Sequence, residues 1–481
     1  MDCLFLFWER NCKILTLIKS ISGIRGTIGG KAGENLTPLD TVKFTCAYGS
    51  WLKKNFPDCK PLVVLGRDTR VSGKMIKNLV SASLQALAID VLNLDLSTTP
   101  TVEMAVILEK AQGGIIITAS HNPAHWNALK MLNSDGEFIS EKVGKEILDI
   151  AEQEESFSFA TIEALGGQTF IKNGYIARHI DEILQLSLVD EAAIKKARLK
   201  IVVDAVNSTG GLAVPELLER LGVEVVKMYC ELNGLFPHNP EPLREHLSEI
   251  CQKVPDLKAD MGIVVDPDVD RLVFVCENGE LFGEEYTLVA VADYVLSKRS
   301  GSVVSSLSSS RALRDIASRW NVPCYYAAVG EVNVVKFMKE TDAVIGGEGN
   351  GGIIYPDLHY GRDALVGIAL FLTHLAYSRK SVSALRKQYP PYFMAKKKIK
   401  YTSQVDLSAV FEALSEKYQR WKPDATDGLK IDFTDEWVHL RKSNTESIIR
   451  VYAEAISDKR ADVLSEQFLE EIRNFILHQQ C

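Results

Sequence analysis

Hydrophobic and polar positions along this chain follow two periods that take turns. Apolar runs at 61–65 and 91–94 bracket a stretch, 75–88, whose apolar residues recur at helical spacing. The same strand, helix, strand order returns at 199–203, 212–221 and 223–228, where the first run ends in Asp204. A third round starts at Ser302, with a helix over 311–320 and strands at 324–328 and 343–345. Such alternation predicts α/β units built on mostly parallel sheets. From about Lys396 the order changes. Strand-like runs at 431–433, 437–440 and 448–453 lie between helical stretches at 407–421 and 458–478, which predicts a separate α+β unit. Polar stretches at 153–158 and 379–391 read as linkers, and the three α/β units share no exact repeat at the residue level.

Length fits this division, because 481 residues exceed what one core supports and suggest about three or four domains. The formal charge of -8 argues against a nucleic-acid or membrane partner and favours a small molecule. Nine cysteines without a CxxC pair suit reduced thiols and a cytoplasmic setting. The apolar cluster at 4–8 is too short for a signal-peptide core and runs into Glu9 and Arg10. No later run approaches the roughly 18 apolar residues of a membrane span.

Candidate chemistry collects in four segments. In the first, Gly-Gly-Ile-Ile-Ile precedes Thr-Ala-Ser-His-Asn-Pro at 118–123, a buried strand delivering Ser120 to a strand-end turn. Pro123 cannot continue a ladder, so the turn is predicted to be exposed, with backbone N–H groups facing an anion. Ser120 is its nucleophile or phosphate carrier, and His121 beside it is a second catalytic candidate. A Ser–His hydrolase pair is disfavoured, since neighbouring side chains in an extended turn diverge and no GxSxG elbow surrounds Ser120.

In the second segment, Asp266, Asp268 and Asp270 follow the apolar run 261–265, with Pro267 ending the strand and Arg271 next to them. Three carboxylates so close repel unless a cation joins them, and Mg²⁺ meets that need with water or a phosphoryl oxygen completing its shell. An aspartyl-phosphate enzyme is the competing reading. The third segment, Gly-Glu-Gly-Asn-Gly-Gly at 347–352, formally fits GxGxxG, but β-branched residues and Pro356 follow where a dinucleotide motif needs a helix. A glycine loop offering Glu348 and Asn350 to a polyol fits better. The fourth segment carries Arg441, Ser443, Asn444 and Thr445 between two strands, the second bearing Arg450, and can wrap a phosphate.

In this order the segments resemble the α-D-phosphohexomutase superfamily over nearly the whole chain. Ser22-Gly23-Ile24-Arg25-Gly26 resembles its GIRG segment, Gly66-Arg67-Asp68-Thr69-Arg70 its GRDTR segment, and Asn127-Ala128-Leu129-Lys130 its NGxK segment. DPDVDR, GEGNGG and RKSNTE resemble its metal, sugar and phosphate loops. The resemblance implies four domains around a central cleft, three related α/β domains with mixed sheets and a smaller C-terminal α+β domain, with boundaries placed at 1–160, 161–280, 281–388 and 389–481. It implies that Ser120 carries the phosphoryl group and that one Mg²⁺ is held by Ser120, Asp266, Asp268 and Asp270. Arg25 and Lys130 would assist proton transfer. Glu348, Asn350 and Arg271 would bind the sugar phosphate, and Arg441, Ser443, Asn444, Thr445 and Arg450 the non-reacting phosphate.

The implied reaction interconverts hexose 6- and 1-phosphates through a hexose 1,6-bisphosphate, in a monomer or homodimer. The GEGNGG variant looks most like the phosphoglucosamine mutase branch, with phosphomannomutase or phosphoglucomutase activity as the alternative. A phosphatase or a non-catalytic sugar-phosphate sensor are the readings from other classes. Two positions depart from the pattern: Ala128 stands where glycine is usual, and Gly352 where many relatives have a histidine, a role His359 is the nearest residue to fill.

Overall fold

A computed structural model describes residues 16–20, 23–165, 167, 169–171, 174–402, 405–443 and 448–480. They form two compact units. One runs through Tyr175 and takes in 207–209 and 231–240; the other holds the remainder.

The first unit is built on a seven-stranded sheet in the order Ile18–Ser20, Gly23–Thr27, Trp126–Leu132, Gly113–Ile117, Leu62–Arg67, Asp90–Leu96, Thr169–Ile171. Gly113–Ile117 is buried along its whole length, which is why it reads as an unbroken apolar run. It pairs parallel with Leu62–Arg67 on one side and antiparallel with Trp126–Leu132 on the other.

The second unit holds three four-stranded sheets. In one, Met261–Val265 lies between a parallel neighbour, Lys200–Asp204, and an antiparallel one, Leu272–Cys276. In the next, Val303–Ser306 pairs parallel with Cys324–Ala327 and Ile345–Glu348, and Ile345–Glu348 pairs antiparallel with Gly352–Ile354. The last is wholly antiparallel, in the order Phe393–Lys400, Ile448–Ala455, Trp437–Lys442, Leu429–Asp432. Helices Leu407–Lys417 and Asp458–Gln480 supply Leu414, Leu464 and Phe468 to its apolar side.

The α/β sheets are therefore mixed: each four-stranded one keeps two parallel pairs and one antiparallel pair, and the seven-stranded one has three of each. The reason is local: short connections can join only antiparallel strands, whereas a parallel pair needs a long crossover. All four candidate segments are such short connections between antiparallel strands. The stretch expected as a linker at 379–391 contains a helix, Val382–Arg386, capped by Ser381 and anchored by buried Val382 and Leu385. The third-round strand begins at Ile345 and carries Glu348 within it, two residues later than the apolar run suggested. Among the described residues no helix is long and apolar enough to cross a membrane.

Candidate active site

In the first unit the serine turn is held from beneath by a buried arginine. Arg70 is 1% exposed and pairs with fully buried Asp68 at 3.0 Å. Its remaining guanidinium hydrogens reach the carbonyls of Ser120, Asn122 and Pro123, each at 2.6 Å, and of Trp126 at 3.1 Å. A planar fork of five donors suits this task in a way one ammonium does not. Asp68 also accepts from Thr118 Oγ1 at 2.7 Å, and Thr118 Oγ1 accepts from the Ser120 N–H at 3.0 Å. GRDTR thus acts as the clamp of the serine turn, a role that its distance along the chain concealed.

The clamp holds Ser120 at φ +48°, in the left-handed region. Three expectations change as a result. Ser120 is buried at 7% exposure rather than exposed, and the Ser120 and Asn122 N–H groups are already bonded, the latter to Ala119. Because the turn is left-handed at Ser120 and not extended, the adjacent side chains converge: Ser120 Oγ lies 3.3 Å from His121 Nδ1. Arg25 sits opposite Ala128 across paired strands, and Lys130 follows Ala128 on the same face, so both cations lie on one side of this sheet. Lys130 is buried, with its ammonium 5.4 Å above the Phe138 ring. Ala128 is in extended backbone outside the positive-φ positions, so the methyl that replaces glycine brings no backbone strain.

In the second unit the turn after Met261–Val265 gathers Asp266, Asp268 and Asp270. All three are fully buried, with ligand oxygens within 4.8 Å of one another. Asp266 Oδ1 accepts from the Asp270 and Arg271 N–H groups, both at 3.2 Å, which closes the turn. Arg271 itself pairs with Glu241 at 3.2 Å. Burying three carboxylates together is costly unless a cation is shared among them. An all-oxygen set fits a hard divalent ion such as Mg²⁺.

Arg362, which the sequence reading did not single out, joins this turn to the glycine loop. Its guanidinium contacts Asp270 at 2.7 Å, Glu331 at 2.9 Å and Glu348 at 3.0 Å. Glu348 is buried at the end of its strand and also accepts from the Gly330 N–H at 3.0 Å. Asn350 Oδ1 caps its own loop through the Gly352 N–H at 3.1 Å. The glycines serve close approach to protein as well: Gly351 has φ +85°, and a Cβ there would strike the Leu272 carbonyl. The loop therefore lies directly on the residue that follows Arg271.

A Cβ on Gly352 would strike the Cδ of Arg362, so the volume a histidine side chain would enter is filled by that arginine. His359 does not replace it. It is buried, and its Nε2 lies 3.4 Å from the Asp363 carboxylate, which His179 meets at 2.9 Å. Burial pushes its pKa down. It is neither solvated nor part of the glycine loop, and its contacts place it in a buried tie at the start of helix Ala364–Ser378.

On the C-terminal sheet Arg441 and Arg450 stand directly opposite each other. Like charges so placed repel unless an anion lies between them. Asp427 contacts Arg441 at 2.7 Å, and buried Ser443 begins the connecting segment. Asn444 and Thr445 lie outside the described residues, as does Ser22.

Comparison with known proteins gives this geometry its context. Four family profiles match in order: phosphoglucomutase/phosphomannomutase α/β/α domain I over residues 17–158, domain II over 177–279, domain III over 283–392 and the C-terminal domain over 396–471. A phosphoglucomutase/phosphomannomutase of Thermococcus kodakarensis is 38% identical over 442 residues, covering 91% of this chain and 95% of its own. A phosphoglucosamine/phosphogalactosamine mutase of Sulfurisphaera tokodaii is 32% identical, covering 92% and 96%. A crystal structure of a phosphoglucomutase/phosphomannomutase family protein from Burkholderia thailandensis superposes with a TM-score of 0.81 at 24% identity, covering 96% of this chain and 97% of that one. The chain belongs to the phosphoglucomutase/phosphomannomutase family, within the α-D-phosphohexomutase superfamily. It is an isomerase of the phosphohexomutase class.

Proposed function

We propose that this enzyme interconverts glucosamine 6-phosphate and glucosamine 1-phosphate through a phosphoserine at Ser120 and a bisphosphorylated sugar. The observation that carries the substrate is the acidic edge of the glycine loop, where Glu348, Glu331 and Asp270 share the single guanidinium of Arg362. Three carboxylates around one cation keep an anionic character that favours an ammonium substituent over a hydroxyl. A relative named for glucosamine and galactosamine phosphates supports this reading. The relative named phosphoglucomutase/phosphomannomutase supports the alternative, mannose or glucose phosphate.

In this mechanism the Ser120 phosphoryl group passes to a sugar hydroxyl. The P–Oγ bond breaks, a P–O bond to the sugar forms, and the proton of the attacking hydroxyl ends on Ser120 Oγ as the leaving group, with Lys130 and Arg25 assisting the transfer. His121 orients Oγ. Asp266, Asp268 and Asp270 would hold Mg²⁺, which neutralises charge on the transferring group. Arg441, Ser443 and Arg450, with Asn444 and Thr445, hold the phosphate that does not react. When the sugar turns over, the same anchor holds the other phosphate and Ser120 takes its group back.

The substrate claim is tested by kcat/KM for glucosamine, glucose and mannose phosphates. Glucosamine phosphate is expected to lead by about fivefold to tenfold, the worth of roughly 1 kcal/mol from one charge-assisted contact. Glu348→Gln is expected to weaken all three substrates and glucosamine phosphate most. A lead for mannose or glucose phosphate moves the enzyme to the alternative substrate with the mechanism intact. The metal claim is tested separately: dialysis against EDTA is expected to abolish turnover and Mg²⁺ to restore it. Single Asp→Asn changes at 266, 268 or 270 are expected to raise the Mg²⁺ concentration needed for half activity. Full activity after exhaustive chelation would remove the ion from the mechanism.

A further inference from the structure

The polar face of the C-terminal sheet carries two adjacent cross-strand rows that differ in how their charge is balanced. In one row Lys396, Tyr452, His439 and Lys430 stand opposite one another in turn. Both lysines there have partners within the protein. Lys396 pairs with Glu284 at 3.1 Å and Glu285 at 3.8 Å. Lys430 donates to the Leu307 carbonyl at 2.7 Å and lies over the Tyr326 and Trp437 rings at 4.8 and 4.4 Å.

In the next row Lys398 stands opposite Arg450, and Arg450 opposite Arg441. Directly opposed residues share a face, so three cationic side chains cross three neighbouring strands in a line. Among the described residues, Asp427 on Arg441 is the one carboxylate paired with this row. Arg450 donates to the Tyr452 hydroxyl at 3.3 Å, and Lys398 is exposed. Strands about 4.8 Å apart set the row's width near 10 Å, which three long side chains span to converge on one phosphate. A line of like charges with one counter-charge is stable when an anion is shared along it.

We propose that Lys398 is a third cation of this anion site and binds the non-reacting phosphate of the sugar substrate together with Arg441 and Arg450. The proposal rests on the function proposed above and extends its anchor from one hairpin to a third strand. The lysine supplies a mobile point charge at the open side of the site, beside two guanidinium forks.

The test uses the full-length enzyme with Lys398→Gln, Lys398→Arg, Arg450→Gln and, as a charge-matched control on the helix across the sheet, Lys459→Gln. Steady-state kinetics with a hexose phosphate and competitive inhibition by inorganic phosphate are measured at low and high salt. Lys398→Gln is expected to raise KM and the phosphate inhibition constant about fivefold at low salt, with kcat changed by less than about twofold and the gap narrowing at high salt. Lys398→Arg is expected to restore binding, and Lys459→Gln to behave as wild type. If Lys398→Gln matches the control while Arg450→Gln loses binding, Lys398 is not part of the site and the anchor reading stands. A loss that Lys398→Arg does not repair also overturns the proposal, because charge is then not what binds. If Arg450→Gln leaves both constants unchanged, the anchor reading and this proposal fall together.

Discussion

Replacing Ser120 with alanine is expected to cut mutase turnover by at least about a thousandfold, since no other group can take over a removed nucleophile in the same geometry. The fold is expected to survive. The side chain's contact with His121 is a single 3.3 Å hydrogen bond, worth about 1 kcal/mol, and the Arg70 clamp grips backbone carbonyls that alanine keeps. The checks are turnover with a hexose phosphate and its bisphosphate, intact mass for the phosphoryl group, and a thermal melt. Phosphate on a different residue, or near-normal turnover in the variant, would refute the serine's role. Acid-stable phosphate on the wild type would separate phosphoserine from a labile aspartyl phosphate.

Arg70→Ala is expected to have the largest effect on stability. It leaves the buried Asp68 carboxylate without its ion pair and four turn carbonyls without their donor. Breaking a buried pair in this way costs about 3–5 kcal/mol, or on the order of 10 °C in the melting transition of a unit this size. Turnover should fall with it, because the carbonyls of the Ser120 turn then lose the guanidinium that fixes them. Arg70→Lys is expected to recover a minority of both, one ammonium being unable to reach the carboxylate and four carbonyls at once. Calorimetry together with turnover on the two variants measures this. A lysine variant equal to wild type would show that charge, and not the fork, holds the turn.

How far the site could be read from sequence depends on where each partner lies along the chain. Ser120, the three aspartates, Glu348 and Arg441 stand in compact segments whose residue types already imply their chemistry. The supports do not. Arg362 reaches Asp270 across 92 positions and Arg70 reaches the Ser120 carbonyl across 50, so no local pattern joins either arginine to its target. The positive φ of Ser120 was equally hidden, since a residue with a Cβ gives no local sign of it and the clamp imposes it from outside. The sheets are a different case. Alternation revealed the βαβ core, yet the brevity of each candidate segment was itself the mark of an antiparallel return, and strand propensity alone passed over it. His359 shows the opposite case, where proximity in sequence to Gly352 suggested a shared role while the structure gives the imidazole a buried contact with Asp363 that the sequence did not signal.

The shared volume of Gly352 and Arg362 makes the two positions one unit of inheritance. A histidine at 352 meets the stem of an arginine that three carboxylates hold in place, so that single change is unfavourable in this background. Loss of the arginine first strands those carboxylates. Each change is expected to be costly alone, so the two positions are coupled through space and substitutions at them are expected not to add.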